Sequence, residues 1–149
     1  MKKYRIGYTT GTFDMFHYGH LNILRRAKEQ CDYLIVGVST DEVVQSYKHK
    51  TPIVSLEHRM EIVSSIKYVD KVVVQENMDK YAAWEQLHYD VLFHGDDWKN
   101  TTMYDDLEAK LKTVGVDVVF IPHTPGISTT ILTEIVAGKD ILSGTVKVP

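Results

Sequence analysis

Cysteine is almost missing from this chain of 149 residues: Cys31 stands alone, so neither an intrachain disulfide nor a thiolate metal cluster can form. Cys31 itself reads as a small residue packed near a helix end. Long hydrophobic runs are missing too. The longest, YLIVGV at 33–38 and VDVVFI at 116–121, have strand length and fall far short of the roughly 20 residues a membrane-spanning helix needs. Two lysines open the chain in MKKYRIGYTT, but the apolar core of a secretory signal does not follow, which points to the cytoplasm. An excess of positive charge is also absent, since 17 Lys and Arg against 20 Asp and Glu leave a formal net charge of -3. Nothing therefore argues for broad, sequence-independent binding of nucleic acid, and any nucleotide has to be held by a local site. No repeat, low-complexity segment or linker interrupts the sequence.

What is present suits an ordinary soluble domain, with 44% hydrophobic and 25% charged residues. The length fits one core, so we expect a single domain over residues 1–137 and a loosely attached tail over 138–149. Residues 4–9 read as a strand and 19–30 as an amphipathic helix with Leu21, Leu24 and Ala27 on one side. The apolar run from Tyr33 reads as a strand buried on both faces, ending at the helix-capping types Ser39, Thr40 and Asp41. SYKHKTP (46–52) reads as a polar, basic loop, and a helix opens at Ser55 with Ile62, Val63 and Ile66 inward. Strands at 71–75, 90–95 and 116–122 then alternate with helices at 79–89, 103–115 and 129–138. Such alternation predicts an α/β fold, a Rossmann-like three-layer sandwich with a mostly parallel five-stranded sheet and right-handed crossovers.

In a sheet of that kind ligands sit beyond the carboxyl ends of the strands. The segments that leave four of the strands are polar or glycine-rich: TGTFDMFHYGH, STDE, GDDW and HTPGISTT. In the first, Gly11 permits a tight turn and Gly19 a close approach. His17 and His20, three positions apart, share one face of the first helical turn near the positive end of its dipole. Backbone N–H groups and two imidazoles aimed at one spot make a site for phosphate oxygens. Two other readings stay open: zinc ligation, for which this loop offers no third or fourth ligand, and a capping histidine beside a buried one. The remaining segments have bland readings as well. GDDW can be a turn, GISTT a helix cap, KHK an exposed loop and Arg59 a surface ion-pair residue.

GTFDMFHYGH, followed in order by STDE, EHRMEIVSSIKYVDKVV, GDDW and PGISTT, resembles the HxGH nucleotidyltransferases and, among them, the cytidylyltransferase branch, with members acting on sn-glycerol 3-phosphate as the nearest likeness. The resemblance implies CTP with Mg²⁺ and a small phosphorylated alcohol as substrates, a homodimer, and a product that feeds a cell-surface polymer. It places His17 and His20 on the CTP phosphates, Lys48 or Lys50 on phosphate as mobile lysines, and Arg59 facing the acceptor or the triphosphate. Thr12, Phe13, Asp14 and Gly19 would line the nucleotide, Asp97 would read the cytosine amine, and Gly126, Ile127, Ser128 and Thr129 would bind phosphate. No residue is expected to hold a resident metal. In this chain His123 and Pro125 stand where the family has Arg and Glu, and Lys67 where close relatives have Arg. A histidine cannot make the bidentate fork of an arginine, so weaker CTP binding through His123 is expected, and Lys67 joins Arg59 at the acceptor. The segment after GDDW is longer than in the glycerol-phosphate enzymes, which leaves the acceptor open. Phosphocholine or phosphoethanolamine, ATP in place of CTP, and a nucleotide-binding regulatory module without catalysis are the alternatives.

Overall fold

The computed structural model describes residues 2–96 and 99–138. Five strands, β1 (Tyr4–Gly11), β2 (Cys31–Ser39), β3 (Lys71–Gln75), β4 (Val91–Gly95) and β5 (Asp117–Ile121), pair in parallel in the order β3-β2-β1-β4-β5. Helices α1 (Tyr18–Glu29), α2 (Asp41–Lys48), α3 (Leu56–Ser64), α4 (Lys80–Leu87), α5 (Thr102–Lys112) and α6 (Thr129–Val136) alternate with them. The order reverses at β1, so the crevice beyond its carboxyl end is the topological switch point. The expected Rossmann-like sheet is therefore present, and it is parallel throughout.

Alternation along β2 builds both layers. Leu34, Val36 and Val38 enter one core with Leu24, Ala27, Val63 and Phe93, while Ile35 enters the other with Tyr8, Leu92, Tyr104 and Leu111. Each fully buried aliphatic side chain contributes about 1.5–3 kcal/mol, which fixes the register that brings the strand ends level. Thr40, Ser55, Asp79, Thr101 and Ser128 each accept a backbone N–H as N-caps of α2 to α6, so five helices begin where a short polar side chain stands.

Two expectations are corrected. Residues 46–48 are the last turn of α2 and not loop. Thr40 caps that helix, Asp41 and Glu42 suit its positive end, and Val43 and Val44 are buried. Ile62, expected inward, is 41% exposed. α3 turns Arg59 and Val63 to the core, four positions apart, and Ile62 lies about 100° round from Val63. Within the expected tail, residues 139–149 lie outside the described ones.

Candidate active site

Both histidines of the β1–α1 loop cap the helix. His17 is the N-cap of α1, its Nδ1 accepting the Gly19 N–H at 3.0 Å, and His20 accepts the His17 N–H through its own Nδ1 at 3.2 Å. This is a capping box made with imidazoles. An Nδ1 that accepts carries no proton, so each ring proton sits on Nε2 and that N–H remains a donor. Capping and phosphate binding are therefore compatible, because they use opposite sides of the same rings. The rings stack with centroids 3.9 Å apart. Gly19 is required for this, since a Cβ there would lie 2.8 Å from the His17 ring. Burial holds both imidazoles below their ordinary pKa, His20 down to about 3 as the charges of His17 and Lys48 add to the effect. The pair acts as two neutral donors, not as two cations.

The loop ahead of them is strained and braced. Phe13 and Met15 have φ of 55° and 50°, a left-handed conformation that persists only where the surroundings enforce it. Phe13 packs edge-on to His20 with centroids 5.4 Å apart. The Asp14 carboxylate accepts the Ile53 and Val54 N–H groups at 2.8 and 2.9 Å, and its carbonyl accepts the Thr129 hydroxyl at 2.9 Å. Asp14 thus ties the loop to two neighbouring segments. Ser128 caps α6, with Gly126 supplying a turn at φ +79°, and Ile127 approaches within 3.7 Å of a Cβ placed on Gly19. Asn22 of α1 donates to the Thr124 hydroxyl at 3.0 Å. Two helix N-termini, α1 and α6, converge here.

A cavity of about 590 Å³ opens at the carboxyl ends of β1 to β4. Thr12, Phe13, Asp14, His20, Lys48, Lys50 and Thr129, all expected in the site, line it, and His17 stacks behind His20. The Tyr47 hydroxyl lies 3.2 Å from Thr12 Oγ1, with Lys48 Nζ 5.6 Å over the Tyr47 ring. His123 Nδ1 lies 2.8 Å from Asp96 Oδ1, and that bond keeps the Asp96 carboxyl below the usual carboxylate range. Asp97 lies outside the described residues.

The structure puts two expected site residues elsewhere. Arg59 is 0% exposed, and its guanidinium is fully engaged by the protein. Nε donates to Val54 O at 2.9 Å, Nη1 to Thr12 O and Ser39 O at 2.8 Å, and Nη2 to Asp41 Oδ1 at 2.6 Å. It clamps the ends of β1 and β2 and is not available to substrate. Lys67 lies before β3, with its Nζ 5.2 Å over the Tyr68 ring, at the amino ends of the parallel strands and so across the sheet from the cavity. Lys80 and Gln75 line the cavity without having been expected there, and Ser39 lines it from the STDE exit. Lys80 is 3% exposed, and burial lowers its pKa to about 8. Both belong to QENMDK, the polar exit of the third strand, which carries the same signal as the other exits.

Residues 8–135 match the model of a family described as cytidylyltransferase-like. The chain belongs to the cytidylyltransferase-like family. It is 41% identical over 137 residues to a glycerol-3-phosphate cytidylyltransferase of Bacillus subtilis (strain 168), covering 87% of this chain and 95% of that protein. To the protein of the same name from Staphylococcus aureus (strain NCTC 8325 / PS 47) it is 41% identical over 133 residues, covering 89% and 95%. A solved lipopolysaccharide core biosynthesis protein from Thermoplasma volcanium GSS1 superposes with a TM-score of 0.69 at 26% identity, covering 81% of this chain and 97% of that one. As a cytidylyltransferase the chain is a CTP-dependent nucleotidyltransferase. Among the described residues no cluster of three or more His, Cys, Asp or Glu could hold a metal ion, and no helix is long and apolar enough to cross a membrane.

Proposed function

We propose that the chain transfers CMP from CTP to sn-glycerol 3-phosphate, releasing CDP-glycerol and pyrophosphate. One observation carries the reading: the switch-point cavity joins His20, stacked on His17, with the N-terminus of α6 and two rim lysines in a chain that spans nearly the whole of its glycerol-3-phosphate cytidylyltransferase relatives. In this reading an oxygen of the acceptor phosphate attacks the α-phosphorus of CTP in line. The bond to the bridging oxygen of the β-phosphate breaks, and pyrophosphate leaves with that electron pair. The acceptor phosphate is already a nucleophilic anion and needs no general base, which suits imidazoles that stay neutral. His17 and His20 donate from Nε2 to the phosphate oxygens as charge shifts, the kind of stabilisation that dominates phosphoryl transfer. The N-terminus of α6 at Ser128 and Thr129 takes further phosphate oxygens, Lys48 and Lys50 close over the triphosphate, and Asp97 reads the cytosine amine. Lys80, a buried cation at the far end of the cavity, is the best-placed group for the acceptor phosphate. Mg²⁺ bound with CTP would neutralise charge on the triphosphate. Among the described residues the one carboxylate lining the cavity, Asp14, is bound to backbone N–H groups, which fits a metal held by the nucleotide. A homodimer, a cytoplasmic location and a product destined for a cell-surface polymer belong to the same reading.

A turnover panel tests it, with CTP and ATP each offered with glycerol 3-phosphate, phosphocholine, phosphoethanolamine and a sugar phosphate, scored by pyrophosphate release. CTP with glycerol 3-phosphate gives the highest kcat/KM on this account. Preference for ATP or for another acceptor sinks it, and binding of CTP without any pyrophosphate release returns the chain to a regulatory module.

A further inference from the structure

Gln75 ends β3 in register with Ser39, the last residue of β2, and is 6% exposed. Its Oε1 accepts the Ser39 hydroxyl at 2.7 Å, which fixes the orientation of the amide. Ser39 is itself held, its carbonyl accepting Arg59 Nη1 at 2.8 Å. That leaves Nε2 with two N–H donors, whose one partner among the described residues is the Met78 sulfur at 4.0 Å, a weak acceptor. Gln75, Met78 and Lys80 line the same cavity as the histidine pair, and the Lys80 ammonium has no ion-pair partner among the described residues. A buried amide without a strong acceptor is unfavourable unless something else supplies one. A buried cation beside it fits a phosphate, and an uncharged donor fits a neutral oxygen near that phosphate.

We propose that Gln75 selects the acceptor by donating its Nε2 N–H to a hydroxyl of the phosphorylated alcohol. This rests on the reading of the chain as a cytidylyltransferase for such alcohols, and it sharpens that reading to alcohols that keep a free hydroxyl. A quaternary or primary ammonium in the same place would face the charge of Lys80 and the Nε2 N–H donors of Gln75.

The test compares glycerol 3-phosphate with propyl phosphate, which keeps the phosphate and the carbon chain and lacks both hydroxyls. In the unmodified protein kcat/KM falls by about tenfold or more on removing the hydroxyls, as expected when a site hydrogen-bonds a substrate OH. In Gln75→Leu the gap shrinks to about threefold or less, while KM for CTP stays within about twofold. If Gln75→Leu fails to fold by circular dichroism, Ser39→Ala releases the amide without removing it and narrows the gap by a smaller factor. An unchanged gap in the folded variant overturns the proposal, as does a rise in KM for CTP equal to that for the acceptor. Equal use of the two phosphates by the unmodified protein overturns the role of Gln75 alone. No turnover of glycerol 3-phosphate, with turnover of another acceptor, overturns the functional reading beneath it.

Discussion

Each imidazole of the His17–His20 pair does two things at once, and the two can be separated by substitution. His20→Ala removes one Nε2 donor and one capping acceptor. We expect kcat to fall by about a hundredfold to a thousandfold, while stability falls by only about 1 kcal/mol, read by steady-state turnover and urea unfolding. A loss of activity no larger than that small stability change accounts for would make the histidine a cap and nothing more. The pair also sets a pH dependence. The folded pKa of His20 lies at about 3 against an ordinary 6.5, so below pH 6.5 the unfolded chain takes up protons that the native ring refuses. Stability is fully present above pH 6.5 and declines toward pH 3, by up to about 1.4 kcal/mol per pH unit from this ring, with His17 acting in the same direction. Urea midpoints compared at pH 7.5 and 5.5 check it; a higher midpoint in acid contradicts a neutral pair. His123 offers a third test. If it replaces an arginine on the triphosphate, His123→Arg tightens CTP binding in calorimetry, and equal affinities remove it from the site. Its contact with Asp96 gives it a partner either way.

Between elements, Arg59 carries the argument. One buried guanidinium holds the ends of β1 and β2, the first residue of α2 and the segment before α3. Arg59→Leu leaves three carbonyls and a carboxylate without their donor, and we expect a loss of about 3 kcal/mol or more, with the thermal midpoint falling accordingly. Because Thr12 and Ser39 are among its partners, KM for both substrates should rise in any folded fraction. Unchanged stability would show the clamp to be dispensable. The sequence reads this residue as either a ligand-facing cation or a surface one. Neither holds, because a lone Arg in a helix pattern does not reveal that four acceptors from three other segments surround it. The helix α2 was hidden for a related reason: two buried valines make too short an apolar stripe to outweigh a basic, loop-like end.

Across the whole molecule, the parts written in periodicity are legible. Five apolar runs separated by amphipathic segments give the parallel sheet, and the polar strand exits point to the end of it where the cavity lies. Seven of the expected side chains line it. What periodicity does not encode is which exit residues point inward and which polar groups the fold itself consumes. Asp14 and Arg59 are spent on bracing, Lys67 lies at the wrong end of the strands, and Gln75 and Lys80 enter through an exit with no glycine or histidine to mark it. The central claim is that the acceptor phosphate attacks the α-phosphorus directly within this cavity. Turnover of CTP carrying a chiral α-thiophosphate with glycerol 3-phosphate tests it most directly. The account predicts inversion of configuration at the α-phosphorus of the CDP-glycerol formed, as one in-line displacement requires; retention, the outcome of two displacements through a covalent enzyme intermediate, would contradict it.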